Sequence, residues 1–174
     1  MNRVMFRFTV LLIMAFLAAG CSGNGREEGE VKTADSAKVE KMTPADLGKA
    51  VADNYVEVMN KVIELLKDKP PVEEVKPKVE TLKETYIQKF VALGERRESF
   101  TQAERASADS RISMGVMQIP GATYTQYSDI QRYYMQENLE MGNLIASFNI
   151  ITQYASFELL KKQEPQEAER LGIE

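Results

Sequence analysis

The sequence predicts an all-α protein, an elongated antiparallel bundle of three to four helices over residues 44–174 that follows an export signal and a tether. Three observations lead to this prediction. After Thr43, apolar residues recur at steps of three and four, which is the period of helices packed by one face. No segment shows the period-two alternation of a strand. Prolines at 70–71, 120 and 165 separate the helical runs.

The first twenty residues have the pattern of a signal peptide. Arg3 and Arg7 supply positive charge, and an apolar run from Phe8 to Ala19 follows, broken only by Thr9. A helix of this length would span about 18 Å, too short for a hydrocarbon core of about 30 Å. We therefore expect residues 1–20 to direct export and then to be removed.

The end of this run carries a second signal. The residues Leu17-Ala18-Ala19-Gly20-Cys21 are small and apolar and lead to the only cysteine of the chain. This stretch resembles the lipobox of bacterial lipoproteins. The resemblance implies cleavage before Cys21 and modification of that cysteine with diacylglycerol and palmitate. Ser22 stands where an inner-membrane retention signal would place Asp, which implies an anchor in the outer membrane, facing the periplasm.

Residues 21–43 comprise this cysteine and a tether. The stretch 22–43 contains three glycines, nine charged residues and no aromatic residue, so it has too little apolar surface to fold alone. We expect a flexible spacer between membrane and domain. In the alternative, Ala34–Lys41 forms an extra helix against the bundle.

Two helices are predicted before residue 94. Thr43, Pro44 and Asp46 are typical of a helix start, and Pro70-Pro71 ends the helix near Lys67–Lys69. The apolar face of this helix is Leu47, Val51, Tyr55, Val58, Val62 and Leu65. The second helix follows the prolines, and its apolar face is Val75, Val79, Leu82, Tyr86, Phe90 and Leu93.

The last long segment has the most regular spacing. Its seam alternates steps of three and four: Tyr127, Ile130, Tyr134, Glu137, Met141, Leu144, Phe148, Ile151 and Ala155. This predicts one helix from about Thr123 to Gln163, and then a short terminal turn over Pro165–Leu171 that Gly172 stops.

The sequence leaves two architectures open for residues 94–118. The favoured one is a single helix over 72–118 that turns at 119–122 into an antiparallel, coiled-coil-like partner. It pairs residue i with about residue 241 − i, and so Phe90 with Ile151. In the alternative, a capping box of Thr101 and Glu104 starts a third helix, which folds back into a four-helix bundle.

Two groups of residues are candidates for a site. Glu137 is the one charged residue on the last seam, and Arg105 lies near its predicted position across the hairpin. We expect a buried ion pair between them, and the alternative is a functional carboxylate. The second group, beside the predicted turn, is a candidate interaction surface because tyrosine suits partner interfaces. It comprises Tyr124, Tyr127, Tyr133 and Tyr134.

Composition excludes several classes of chemistry. The chain has no His, so Ser-His-Asp and Cys-His nucleophile systems, His-ligated zinc and His-ligated haem are excluded. A lone cysteine cannot form an internal disulfide. The net charge of −4 argues against a nucleic-acid partner. We expect no catalytic residue, no cofactor and no metal site, and a protein that is not an enzyme.

These features predict a membrane-anchored lipoprotein of the cell envelope. Its helical domain would be a non-enzymatic interaction or scaffold module for an envelope protein that the sequence does not identify. The alternative is an envelope binding protein that holds a small apolar ligand or a metal between its helices. In that case the site would lie near Glu137 and the methionines at 114, 117, 135 and 141, since thioethers suit soft metals.

Overall fold

The computed structural model of the chain describes residues 42–173. Over these residues the fold is all-α, as predicted, and contains no strand. The α-helices are α1 Pro44–Leu66, α2 Val72–Glu98, α3 Gln102–Met117, α4 Gly121–Glu137, α5 Leu139–Ala146, α6 Phe157–Gln163 and α7 Pro165–Arg170, and a 3-10 helix covers Ser147–Ala155. The prediction of three to four helices is wrong for the described part of the chain, which forms seven. The signal peptide, Cys21, the tether to residue 41 and the alternative helix over Ala34–Lys41 lie outside the described residues.

The predicted bounds of the first helix are confirmed. The Thr43 side chain accepts a hydrogen bond from the Asp46 N–H (3.2 Å), and Asp46 accepts one from the Thr43 N–H (3.2 Å). With Pro44 at the first helical position, this capping box fixes where α1 begins. The helix ends at Leu66, shortly before Pro70 and Pro71.

The favoured continuous helix over 72–118 is wrong. Helix α2 ends at Glu98, and Thr101 forms a capping box with Glu104 that starts α3. This start of a third helix is what the alternative architecture predicted. Helix α2 runs antiparallel to α1, since Glu57 pairs with Lys89 (3.5 Å) whereas Lys61, one turn further along α1, lies over the ring of Tyr86, which comes earlier in α2 (5.6 Å). The chain reverses again between α2 and α3, so α3 runs parallel to α1.

The predicted turn at 119–122 does not reverse the chain. Helix α3 lies beside the first half of α1, where Gly48 faces Ala108 and Gly115 faces Ala52. After the break at Pro120, α4 continues in the same direction beside the second half of α1. The Tyr134 hydroxyl donates a hydrogen bond to the carbonyl of Pro70, just beyond the end of α1 (2.7 Å).

The reversal occurs at Asn138 instead. This residue has extended backbone angles (φ −154°, ψ 110°), and its side chain accepts a hydrogen bond from the Met141 N–H (2.9 Å), which caps α5. Helix α5 therefore folds back on α4, and the predicted single helix from Thr123 to Gln163 is interrupted.

The returning arm of α5, the 3-10 helix and α6 runs parallel to α2. Lys76 bonds Glu140 (2.6 Å) near one end of α2, and Gly94 lies against Phe157 near the other. Both pairs are separated by about 64 positions, so the predicted antiparallel register of Phe90 with Ile151 is wrong. The domain consists of two helical hairpins side by side, α1–α2 and α3–α4 with the returning arm.

The C-terminal helix closes one side of this arrangement. Helix α7 packs against α6, and Arg170 at its end bonds Glu84 of α2 (3.2 Å). Gly172 has a positive φ of 69° and ends the helix, so the predicted terminal turn and its glycine stop are confirmed.

Helices α1 and α3 approach closely at glycine. A Cβ atom at Gly48 would lie 2.5 Å from the Arg111 Cβ and 2.7 Å from the Ala108 carbonyl oxygen. Because backbone cannot move aside as a flexible side chain can, α1 and α3 would have to separate around any larger residue.

Gly48→Ala is therefore expected to lower the free energy of unfolding by about 1–3 kcal/mol, as overpacking does. Gly121→Ala is the matched control, since nothing lies within 4 Å of a Cβ at the start of α4. This control should leave stability unchanged or raise it by about 0.4–1 kcal/mol. Urea unfolding of both variants measures the difference. Equal stabilities would contradict the parallel packing of α1 on α3.

Candidate functional site

The predicted ion pair of Glu137 with Arg105 is wrong. Glu137 is exposed at the end of α4, whereas Arg105 lies in the first turn of α3, at the opposite end of the domain. The guanidinium of Arg105 bonds the carboxylates of Glu98 (3.2 Å) and Glu158 (2.9 Å) instead. The prediction failed because it rested on a hairpin turn at residues 119–122, where the chain continues forward.

The four tyrosines do not share one surface. Tyr127 and Tyr134 are each 1% exposed and belong to the core. Tyr133 is half-buried, its ring meets that of Tyr134 edge-on (5.0 Å between centroids), and the Lys69 ammonium lies over it (4.5 Å). Only Tyr124 of the four is exposed, at 59%. The tyrosines thus mainly close the core between α1, α4 and α5.

The four methionines near the predicted ligand site are also separated. Met114 and Met117 are exposed at the end of α3, whereas Met141 is buried in α5 and Met135 packs against Gly142. The length of α4 lies between the two pairs. Within residues 42–173, no group of three or more His, Cys, Asp or Glu side chains is placed to hold a metal ion.

An apolar groove runs between the second half of α1 and the first half of α2. It is open to solvent and has a volume of about 620 Å³. Leu65 and Leu82, which the sequence placed in the core seam, are only partly buried and form its floor. We call this feature the α1/α2 groove; its lining residues are Lys61, Glu64, Leu65, Pro77, Lys78, Thr81, Leu82 and Thr85.

Two threonines contribute apolar surface to the groove. The Thr81 hydroxyl donates to the Pro77 carbonyl (2.8 Å), and the Thr85 hydroxyl donates to the Thr81 carbonyl (2.8 Å). Their hydrogen-bonding groups are therefore occupied within α2. The spacing Pro77-x3-Thr81-x3-Thr85 places all three residues on one stripe of the helix. This stripe is the sequence signal for the groove. It does not stand out in the sequence, because it contains no strongly apolar residue.

The rim of the groove leaves one cation unpaired. Lys61 bonds Glu57 (3.0 Å), a carboxylate that Lys89 also approaches (3.5 Å), and Glu64 bonds Lys67 (2.8 Å), so both of these rim charges have a partner. Lys78 is exposed and forms no ion pair with any residue in 42–173. The groove therefore combines an apolar floor with a free positive charge at its edge.

The domain contains an ion pair between a buried cation and a half-exposed carboxylate, at residues that the sequence analysis did not single out. Arg97 of α2 is only 4% exposed, and its Nη2 bonds both carboxylate oxygens of Asp109 in α3 (2.9 and 3.2 Å). Its Nε and Nη1 have no hydrogen-bond partner among the described residues. The sequence carries no signal for this ion pair. Arg96 and Arg97 are adjacent and of the same type, so which of them is buried depends on the position of α3.

Asp109→Ala would leave the Arg97 cation buried without a counterion. Because the Asp109 side chain is itself half exposed, we expect a loss of about 1–3 kcal/mol rather than the larger cost of a fully buried pair. Asp53→Ala is the control, since it breaks only an exposed pair with Lys49 and should cost about 0.3–0.5 kcal/mol. Adding Arg97→Met to Asp109→Ala should recover most of the loss. Chemical denaturation of the three variants tests this, and equal losses for Asp109→Ala and Asp53→Ala would contradict it.

No helix within residues 42–173 is both long and apolar enough to cross a membrane. Comparisons with protein-family models, with curated proteins and with solved structures found no significant match to this chain.

Proposed function

We propose that this protein is an exported lipoprotein, anchored through Cys21 to the outer membrane and facing the periplasm. Its helical domain is a non-enzymatic interaction module for another envelope protein. The lipobox-like residues 17–21 support the anchor. One observation carries the interaction role, namely the α1/α2 groove, an open apolar surface between two helices whose other large apolar side chains lie in or against the common core.

The groove suits one kind of occupant best. It follows the direction of two antiparallel helices, and a third amphipathic helix can bury its apolar stripe against Leu65 and Leu82. Lys78 at the rim favours an acidic residue beside that stripe, because an unpaired cation near an apolar surface gains from a partner charge. The partner is therefore an envelope protein that presents an amphipathic segment with an acidic residue.

The anchor is tested by Cys21→Ala. We expect this variant to lose fatty-acid labelling and to accumulate as uncleaved or mislocalised precursor, because the thiol that carries the lipid is absent. The wild-type protein should partition into the detergent phase, since two or more acyl chains give stable anchoring. Release of the wild type as a water-soluble species with an unmodified N-terminus would overturn the anchor.

A second candidate function is binding of a small apolar ligand in the same groove. The volume of about 620 Å³ falls in the range of small-molecule sites. Thermal unfolding of the full chain in detergent, titrated with dodecanol, distinguishes the two. A melting temperature that rises with ligand concentration in the wild type but not in Leu82→Asp supports this candidate by mass action. An equal response of both proteins counts against it.

A further inference from the structure

The 3-10 helix is unusually long for its type. It covers nine residues, Ser147–Ala155, whereas runs beyond three or four residues are uncommon because their hydrogen-bond geometry is poor. Its apolar residues Phe148, Ile151 and Ala155 keep the spacing of an α-helix and are all buried. The spacing is therefore compatible with a regular α-helix, yet the segment forms a 3-10 helix. Such stretches within helical segments often mark functional hinges.

Gln153 lies in this helix and is unsatisfied. The residue is 5% exposed, and neither its Nε2 nor its Oε1 has a hydrogen-bond partner among residues 42–173. Leaving a buried polar group unpaired destabilises the fold, because the group has lost its hydrogen bonds to water without replacing them. An apolar residue of similar size would fill the position at lower cost.

Gln153 lines a second cleft, formed by α3, the 3-10 helix and α6. We call it the polar cleft; it has a volume of about 320 Å³ and is lined by Asp109, Ile112, Ser113, Asn149, Ile150, Thr152, Gln153, Ser156, Leu159 and Gln163. Most of its hydrogen-bonding side chains are uncharged. Its one charged residue, Asp109, is neutralised by Arg97. The cleft therefore favours a neutral polar ligand over an ion.

We propose that the polar cleft binds an amide group, from a peptide main chain or a small carboxamide, and that Gln153 holds it through two hydrogen bonds. The Oε1 of Gln153 accepts from the ligand N–H, and the Nε2 donates to the ligand carbonyl. A primary carboxamide has its acceptor and one donor on the same edge, so it can pair with another primary carboxamide or with the N–H and C=O of one residue of an extended peptide, which point to the same side. The Gln153 atoms are shielded from solvent, so the 3-10 helix shifts away from α3 to admit the ligand. This site is separate from the α1/α2 groove.

The test is a ligand-observed NMR titration of the full chain in detergent. The probes are N-acetylalanine methylamide, which represents a peptide, and acetamide, which represents a small carboxamide. O-Acetyllactic acid methylamide, which replaces the alanine N–H with an ester oxygen, should bind more weakly. Saturable binding with preference for the methylamide assigns the peptide as the source, and preference for acetamide assigns the carboxamide.

Two variants make the result specific. Gln153→Leu should weaken probe binding by about tenfold or more, and it should also raise the melting temperature because an unpaired polar group is removed. Gln136→Leu, on the exposed face of α4, is the control and should bind as the wild type does. Absence of saturable binding to the wild type, or equal binding by Gln153→Leu, would overturn the proposal. A lower melting temperature for Gln153→Leu would also count against it, since Gln153 would then be satisfied within the fold.

Discussion

Phe148→Ala is expected to lower the free energy of unfolding by about 3–5 kcal/mol, among the largest effects of any single substitution in this domain. Phe148 is fully buried in the 3-10 helix, which packs against both α1 and α2. Removing the ring leaves a cavity where the two hairpins meet, and no single helix can move to fill it. Urea denaturation followed by far-UV circular dichroism gives the value.

A matched control lies two residues further along the same helix. Ile150 is 48% exposed, so Ile150→Ala should cost less than about 1 kcal/mol. The comparison keeps the local backbone constant and varies only burial. Similar losses for Phe148→Ala and Ile150→Ala would show that the 3-10 helix does not present Phe148 to the core.

Tyr127→Ala is expected to be nearly as damaging, at about 3–5 kcal/mol. Tyr127 is 1% exposed in α4, and its hydroxyl donates a hydrogen bond to the Ile145 carbonyl in α5. Burial raises the pKa of this phenol, which is consistent with a site closed to water. A long two-helix hairpin would instead place Tyr127 near a thin tip and predict a distinctly smaller loss. The ratio of the stability loss of Tyr127→Ala to that of Phe148→Ala therefore distinguishes the observed fold from the long two-helix hairpin.

Tyr127→Phe separates the ring from its hydroxyl. It should cost about 1 kcal/mol, because it removes one buried hydrogen bond and leaves the Ile145 carbonyl without that donor. A loss as large as that of Tyr127→Ala would mean that the hydroxyl, rather than packing of the ring, holds α4 to α5. A small loss in both variants would contradict the fold of α5 back onto α4.

The parts of the fold that sequence predicted well are those with a local cause. Thr43 with Asp46 and Thr101 with Glu104 form capping boxes within four residues, and the structure shows both, although the box at Thr101 belonged to the alternative and not to the favoured long helix. Gly172 likewise ends α7 by its own backbone conformation. Each of these signals depends on neighbours in the chain and not on the packing of distant helices.

The direction of the chain at its breaks had no such local signal. Pro120 suggested a reversal but only interrupts the path from α3 to α4. Asn138 makes the reversal, yet the three-four spacing of apolar residues continues through it without a slip. Periodicity reports which face is buried and does not show whether the helix axis turns by a small angle or folds back. The error in topology then carried into the pair assigned to Glu137 and Arg105.

The candidate sites were missed for a related reason. Leu65 and Leu82 match the core period but lie at the edge of the α1–α2 contact, where they line an open groove. Gln153 is a polar residue next to core positions, so its sequence context suggests that it faces solvent. In the folded domain it is buried. The groove depends on how α2 packs on α1, and the burial of Gln153 depends on how the two hairpins pack together; periodicity shows neither.

The most direct test of the interaction role is site-specific photo-crosslinking of the full chain in its own cells. A photoreactive amino acid replaces Leu82 in the α1/α2 groove, and Met117, 85% exposed on α3, serves as the control position. We predict one discrete adduct from position 82, mapped by mass spectrometry to an amphipathic segment with an acidic residue, and none of this adduct from position 117. The adduct should disappear with Lys78→Glu or Cys21→Ala. No adduct at position 82, the same adduct at both positions, or an adduct that persists with Lys78→Glu would contradict the account.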